Sequence, residues 1–438
     1  MKKITKILMC LILCVFGVGL VGCKDPRTPE EKAFTYPSEN DIVSGNDGMA
    51  VQKGNYIYFA NGFKAVANSK RYGKFTQGGV MLTKLSETGE LVVDETGAIV
   101  DENILHISNK LAGFEATSLF IAGDYLYFTS PCQEDNSKTE TWAKDWVDFN
   151  RIKLDKSSKV ERFYTAEINN SEMEFKFYEN NGNVSILIYN KTSKKLIKVN
   201  TSGKKSTIAT KVEDVNFAEA FDKVMFVAGT SDENVPYSSF VLNAISGNKT
   251  EIAGHVATAE IVAVGDGVAY VVENNVMSKL NLADGKSSVV LNNYSTYKSV
   301  QVVPSENLVV AISTEGSGLI FEYYENGNAL PSSYVQDEST TEITVVGMAN
   351  GSIIYVDSNS NVKSLSYANR NSNAQVETIA DVSDMNTTYF DIDGSYMYFY
   401  KTVGSNEYLH RLKIDNGEAV EEFVGFYLEA DIPETEEE

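Results

Sequence analysis

The chain has 438 residues, 22% of them charged and 11% aromatic, with 60 acidic against 38 basic residues and a formal net charge of −22. A surface of that sign repels nucleic acid and anionic headgroups, which excludes a nucleic-acid partner. Only four cysteines are present, at 10, 14, 23 and 132, and the first three fall within the first 23 residues, so Cys132 is alone in the rest of the chain.

The first segment has the layout of a signal peptide. Lys2, Lys3 and Lys6 are followed by an uncharged, mostly apolar run from Ile7 to Val21 and then by Gly22 and Cys23. The run is shorter than the roughly 20 apolar residues of a membrane-spanning helix. Leu20-Val21-Gly22-Cys23 resembles the lipobox of exported bacterial lipoproteins. That resemblance implies cleavage after residue 22, diacylglycerol on the sulfur of Cys23, and a protein held at the outer side of the cytoplasmic membrane. Residues 23–44, with Pro26, Pro29 and Pro37, read as a lipidated N-terminus and flexible tether. Residues 429–438 read as an acidic, disordered tail.

Between 45 and 428 one phrase recurs. A turn containing Gly, Asn or Asp precedes a short run rich in Tyr, Phe, Val and Ile. Its first forms are Gly54-Asn55-Tyr56-Ile57-Tyr58-Phe59 and Gly123-Asp124-Tyr125-Leu126-Tyr127-Phe128, and its last is Asp393-Gly394-Ser395-Tyr396-Met397-Tyr398-Phe399. The runs begin at 56, 125, 184, 224, 268, 308, 353 and 396, at intervals of 69, 59, 40, 44, 40, 45 and 43. The last five intervals have the length of a four-stranded propeller blade. Helical periodicity is scarce. Trp142 and Trp146 could share a helical face, and Asn216 to Phe221 could form one turn.

The runs are apolar on both faces. Successive strand residues point to opposite sides, so Tyr125 and Tyr127 face one way while Leu126 and Phe128 face the other. A strand of this kind must be covered on both sides, and stacking blades around an axis does so. The expected fold is all-β: a single β-propeller of four-stranded blades, eight favoured and seven the alternative because the run at Leu308 is weak. Met49 to Gln52 can serve as the innermost strand of the first blade and Glu421 to Val424 as the outermost of the last. The phrases, the spacing and the lipobox together resemble lipid-anchored surface propellers of low-G+C Gram-positive bacteria. They look distantly like the Tyr-Trp-Thr-Asp propellers of lipoprotein receptors, but the Trp-Thr-Asp part is missing, so receptor-type ligand sites do not carry over.

In an antiparallel meander of strands A to D, the B–C loops and D-to-A crossings share one face. The two longest B–C loops are Asn61 to Gly79 and Thr129 to Asp148, which explains the two long intervals. The first holds Arg71, Tyr72 and Phe75; the second holds Trp142, Lys144 and Trp146, the only tryptophans of the chain. Aromatic and basic side chains together suit recognition of a peptide, protein or glycan, and the same tryptophans would equally serve to seal a hydrophobic edge. His106, His255 and His410 are isolated, and no metal spacing or nucleophile motif is present, so no catalytic residue, metal or cofactor is assigned. Gly45-Asn46-Asp47-Gly48 and Asp391-Ile392-Asp393-Gly394 read as turns rather than calcium loops. The expected function is a lipid-tethered binding or scaffold propeller. The alternative is a polysaccharide hydrolase or lyase with carboxylates at the central channel. A channel lined by small or apolar groups would favour the binding reading, and that lining is the one expected.

Overall fold

Each of the eight recurring runs is strand B of its own small antiparallel sheet, counting four strands A to D from the centre outward. The runs lie in Tyr56–Asn61, Tyr125–Pro131, Asn183–Asn190, Lys223–Gly229, Val268–Glu273, Leu308–Glu315, Ser352–Asp357 and Tyr396–Val403. They were located in a computed structural model. It describes residues 25–62, 79–95, 97–108, 119–131, 146–167, 173–217, 223–230, 237–252, 260–316, 318–336, 343–370, 376–382, 385–404, 406–414 and 419–427. Among these residues there are eight sheets, each built from consecutive strands in sequence order. They are the eight blades of a β-propeller, and the weak run at Leu308 is the full second strand of blade 6.

The turn before each run explains why the hairpin forms. In blades 3 and 7 a two-residue loop, Asn181-Gly182 or Asn350-Gly351, has positive φ at both residues, the mirror-image turn that matches strand twist. In blades 1, 2 and 8 only the first loop residue is left-handed, and it is Gly54, Gly123 or Gly394.

The core is divided among the gaps between blades. Six clusters of buried side chains link neighbours all the way round. Alternation along the second strands decides who faces whom. In blade 4, Val224 and Phe226 pack toward blade 3, while Met225 and Val227 pack toward blade 5. In blade 7, Ile353 and Tyr355 face blade 6, while Ile354 and Val356 face blade 8. Each such side chain contributes roughly 1.5–3 kcal/mol on burial, and neither set can be buried without a neighbour on its side. Tyrosine hydroxyls add fixed contacts across the gaps. Tyr58 of blade 1 donates to the Leu154 carbonyl of blade 2 at 3.1 Å, and Tyr189 of blade 3 to the Val212 carbonyl of blade 4 at 3.2 Å.

A bulge recurs in the outermost strand. Register slips by one residue between strands C and D in blades 1, 2, 3, 5 and 7, and the extra residues are Ile107, Phe163, Ile208, Val290 and Ile379. All five are apolar. A bulge sharpens local twist, and here it occurs where the blade reaches its outer edge.

The ring closes without exchange of strands. Ala50–Lys53 is strand A of blade 1 and Glu421–Phe423 is strand D of blade 8. Blade 8 meets blade 1 through the buried Asn61, whose amide donates to the Phe426 carbonyl at 3.1 Å and accepts from the Phe426 N–H at 3.3 Å. The Gly62 N–H donates to the Glu407 carbonyl at 3.1 Å.

Three expectations are corrected. Over 25–44 the stretch expected to be a flexible tether is docked. It carries a short helix, Pro29–Ala33, with Thr28 and Glu31 forming a capping box, and Phe34 and Tyr36 pack against the core of blades 1 and 2. It then adds a short fifth strand, Val43–Ser44, on the channel side of Ala50–Lys53. The shared helical face for Trp142 and Trp146 does not form, because Trp146 begins the strand Trp146–Lys153. Asn216 lies in the strand Val212–Phe217, so it does not start a helical turn. In both places strand pairing takes up the backbone groups that a helix would have used.

Candidate binding face and channel

The two long insertions leave adjacent blades at the same end. The last pair before the first is Asn61 with Gly79, and before the second Pro131 with Val147. Both are B–C connections, as the meander requires. Arg71, Tyr72, Phe75, Trp142 and Lys144 lie outside the described residues, as do Cys23 and Cys132. Trp146 is placed by its backbone alone, paired with Glu167 at the start of strand C of blade 2.

Beneath the second insertion is a polar platform. Thr129, Ser130, Asp148 and Asn150 are all buried at the top of blade 2. The Asn150 amide donates to Ser130 Oγ at 2.8 Å, and Thr165 Oγ1 donates to Asp148 Oδ1 at 2.7 Å. The Arg162 guanidinium lies 3.7 Å from the same Asp148 oxygen. Thr129 Oγ1 and Asn150 Oδ1 have no partner among the described residues. Buried polar atoms are costly unless bonded, so this end of blade 2 is built for polar contact. The sequence signal was there to be read: polar residues interrupt strands B and C at the roots of the insertion, at 129–130 and 148–150.

The channel differs from the apolar lining expected. The hairpin tip between Val43–Ser44 and Ala50–Lys53 reaches to the innermost strands of blades 2 and 3. Asn46 clamps the backbone of Ile121 in blade 2, accepting at 2.7 Å and donating at 3.0 Å. The Asp47 N–H donates to the Leu119 carbonyl at 2.8 Å, and the Asp47 carboxylate lies 3.8 Å from the Lys176 ammonium of blade 3. Burial pushes the Asp47 carboxyl up to about 6, against the pull of Lys176, although about a fifth of its surface still meets solvent. The innermost strand of blade 4 carries Asp214, whose oxygens accept from the N–H groups of Val215 at 2.9 Å and Ile261 at 3.0 Å. Burial raises its carboxyl, and Glu174 and Glu260 nearby raise it further.

These carboxylates join innermost strands to one another. Asp214 spans blades 4 and 5, and Asp47 spans blades 1 and 3. His106 and His410 are in strands D and C, away from the channel, and His255 lies outside the described residues. Among the described residues no group of three His, Cys, Asp or Glu side chains is arranged to hold a metal. The Gly45 to Gly48 stretch forms the hairpin tip, with Gly48 N–H returning to the Gly45 carbonyl at 3.0 Å.

A second charged group lies at the rim of blade 8. Glu421 is 2.7 Å from His410 Nδ1 and 2.7 Å from Lys401 Nζ, and the imidazole stacks on Phe399 and Phe423. Burial pushes the Glu421 carboxyl up, but the bonds from His410 and Lys401 outweigh it and hold it below its ordinary value. Two small clefts lie on the opposite side of the disc, one of about 190 Å³ under the N-terminal arm and one of about 320 Å³ between blades 6 and 7.

No family model matches the chain, and no curated protein matches it. Solved structures similar to it include a eukaryotic initiation factor, at 10% identity and a TM-score of 0.47 over 90% of each chain. BamB from Moraxella catarrhalis is similar at 11% identity and a TM-score of 0.41, over 77% of this chain and 92% of its own. An uncharacterized protein of Listeria monocytogenes EGD-e is similar at 9% identity and 0.41, over 69% and 92%. At this degree of overlap no activity, ligand or partner passes from them to this chain.

Proposed function

We propose that this protein is a lipid-tethered extracytoplasmic binding or scaffold propeller, anchored through Cys23, that holds a peptide, protein or glycan on the face carrying its B–C loops. The observation that supports the reading is the rooting of both long insertions on neighbouring blades at one end, above a buried polar platform. The recognition side chains in this reading are Trp142, Trp146, Lys144, Arg71, Tyr72 and Phe75. The hydrolase or lyase alternative needs free carboxylates at the channel. Asp47 and Asp214 are two of the carboxylates at the innermost strands, and both are engaged by a lysine or by backbone N–H groups.

The test is retention of the purified protein on immobilised peptidoglycan, on a panel of defined polysaccharides and on a peptide array. Trp142→Ala/Trp146→Ala is expected to weaken capture by the bound class at least about tenfold, the loss of more than 1.4 kcal/mol that one anchoring aromatic supplies, with an unchanged melting temperature. A lowered melting temperature would show that the tryptophans are structural. Release of sugar products by the wild type, abolished in Asp47→Asn, would replace this reading with the enzymatic one. Cys23→Ser is expected to move the protein from the membrane fraction to the soluble fraction, and a variant that stays with membranes would defeat the anchor.

A further inference from the structure

The docked N-terminal arm, taken with the place of Cys23 in the sequence, bears on which way the disc points. This step rests on the anchor proposed above. The partners of the arm lie on or next to the face of the A–B and C–D turns, opposite the insertions. The Ile42 carbonyl accepts from Gly54 N–H at 3.0 Å, and Tyr56 Oη donates to Thr35 Oγ1 at 3.0 Å. Glu31 pairs with Lys156 at 2.5 Å, and Lys156 Nζ also donates to the His106 carbonyl at 2.6 Å. Arg27 is held by Asp25 at 2.8 Å and lies 3.6 Å from the Asp155 carboxylate. Tyr36 Oη donates back to the Glu31 carbonyl at 2.8 Å, which ties the helix to the segment that leaves it.

The chain is therefore held against blades 1 and 2 from Asp25 onward. One residue, Lys24, lies between Asp25 and Cys23, and the two steps of chain reach about 7 Å when extended. A free tether over 23–44 would have a root-mean-square reach of about 25 Å and would let the disc turn over. The difference decides the geometry. We propose that the turn-bearing face of blades 1 and 2 is apposed to the lipid surface, and that the insertions face away from it. Ile42 and Val93, which are 83% and 46% exposed, sit on this same side. The chain is acidic, so an anionic bilayer repels it over a Debye length of about 10 Å. A pinned arm holds a close approach that a loose one would give up.

The test uses the lipidated protein with Cys132→Ser, reconstituted into phosphatidylcholine–phosphatidylglycerol vesicles whose headgroups carry nitroxide. A fluorophore is placed at Glu87→Cys, on the C–D connection of blade 1, or at Ser193→Cys, on the B–C turn of blade 3. The two faces are about 20 Å apart, the length of a six-residue strand, so quenching at 87 is expected to exceed that at 193 at least about threefold. Arg27→Ala/Lys156→Ala is expected to float with the vesicles as the parent does and to lose the difference. Equal quenching in a parent that floats would overturn the orientation and leave the anchor standing. A parent that does not float would overturn the anchor, and the orientation with it.

Discussion

At the scale of single residues, the informative groups are polar ones in apolar surroundings. Asp47 binds its proton more tightly in the folded chain than in the unfolded one, about 6 against 3.8. Its contribution is therefore favourable at low pH and is lost as pH rises from about 4 through about 6, a difference of about 3 kcal/mol. Asp47→Asn removes the buried charge but also its attraction to Lys176. It is expected to raise stability by about 1–3 kcal/mol near pH 7.5 and by less near pH 5. Chemical denaturation at the two pH values measures this, and an equal gain at both would show that titration of Asp47 has no part in it. The sequence placed Asp47 in a turn, and it is in one. Its partner on blade 3, 129 positions along the chain, could not be read, because a residue pair that meets across a ring leaves no mark in local spacing.

At the scale of elements, the hairpin turn is what makes each repeat legible. Gly54 and Gly123 have the same φ of 56° in equivalent turns. An added methyl at 123 meets nothing within 4 Å, whereas at 54 it would lie 2.7 Å from the Asp41 carboxylate of the N-terminal arm. Gly123→Ala is therefore expected to cost about 1–2 kcal/mol of left-handed backbone strain. Gly54→Ala is expected to cost that and in addition to loosen the arm. Thermal melts compare the two, and protease cleavage after Lys32 reports release of the arm. Equal behaviour of the two variants would mean that the arm does not press on the turn. The helix within the arm had a readable sign, Thr28-Pro29-Glu30-Glu31, which matches a capping box. The three prolines nearby outweighed it. What holds the segment in place is Lys156, far along the chain, and local composition contains no trace of that contact. The outer-strand bulges went unread for a related reason, since an extra apolar residue in a strand looks like continued alternation until its partner is known.

At the scale of the whole molecule, stability depends on closure. Blades 8 and 1 are joined by side-chain packing and by Asn61, with no strand shared between the ends of the chain. Gly425 sits against Asn61 so closely that any Cβ there would overlap the amide oxygen. The φ of Gly425 is not left-handed, so Gly425→Ala tests packing at the seam rather than backbone strain. It is expected to destabilise by about 2–4 kcal/mol, in the range of other overpacked or broken buried contacts. Amide exchange should rise first in blades 1 and 8. Uniform exchange around the ring would show that the seam is no weaker than the other blade interfaces.

The sequence by itself determined the class and the place of each second strand and favoured eight blades over seven, because these follow from short-range facts: left-handed turn residues, alternation at period two, and a spacing near 40 residues. It also located the roots of the first insertion, Asn61 and Gly79, and set those of the second two to three residues too far out, since strands B and C of blade 2 run to Pro131 and from Trp146. It could not determine that the chain's own hairpin reaches the innermost strands of blades 2 and 3, that carboxylates tie the innermost strands together, or that the N-terminal arm is docked against two blades. Those depend on which groups meet after the ring has closed, between residues whose separation along the chain bears no relation to their distance in space, and only the tertiary structure decides that.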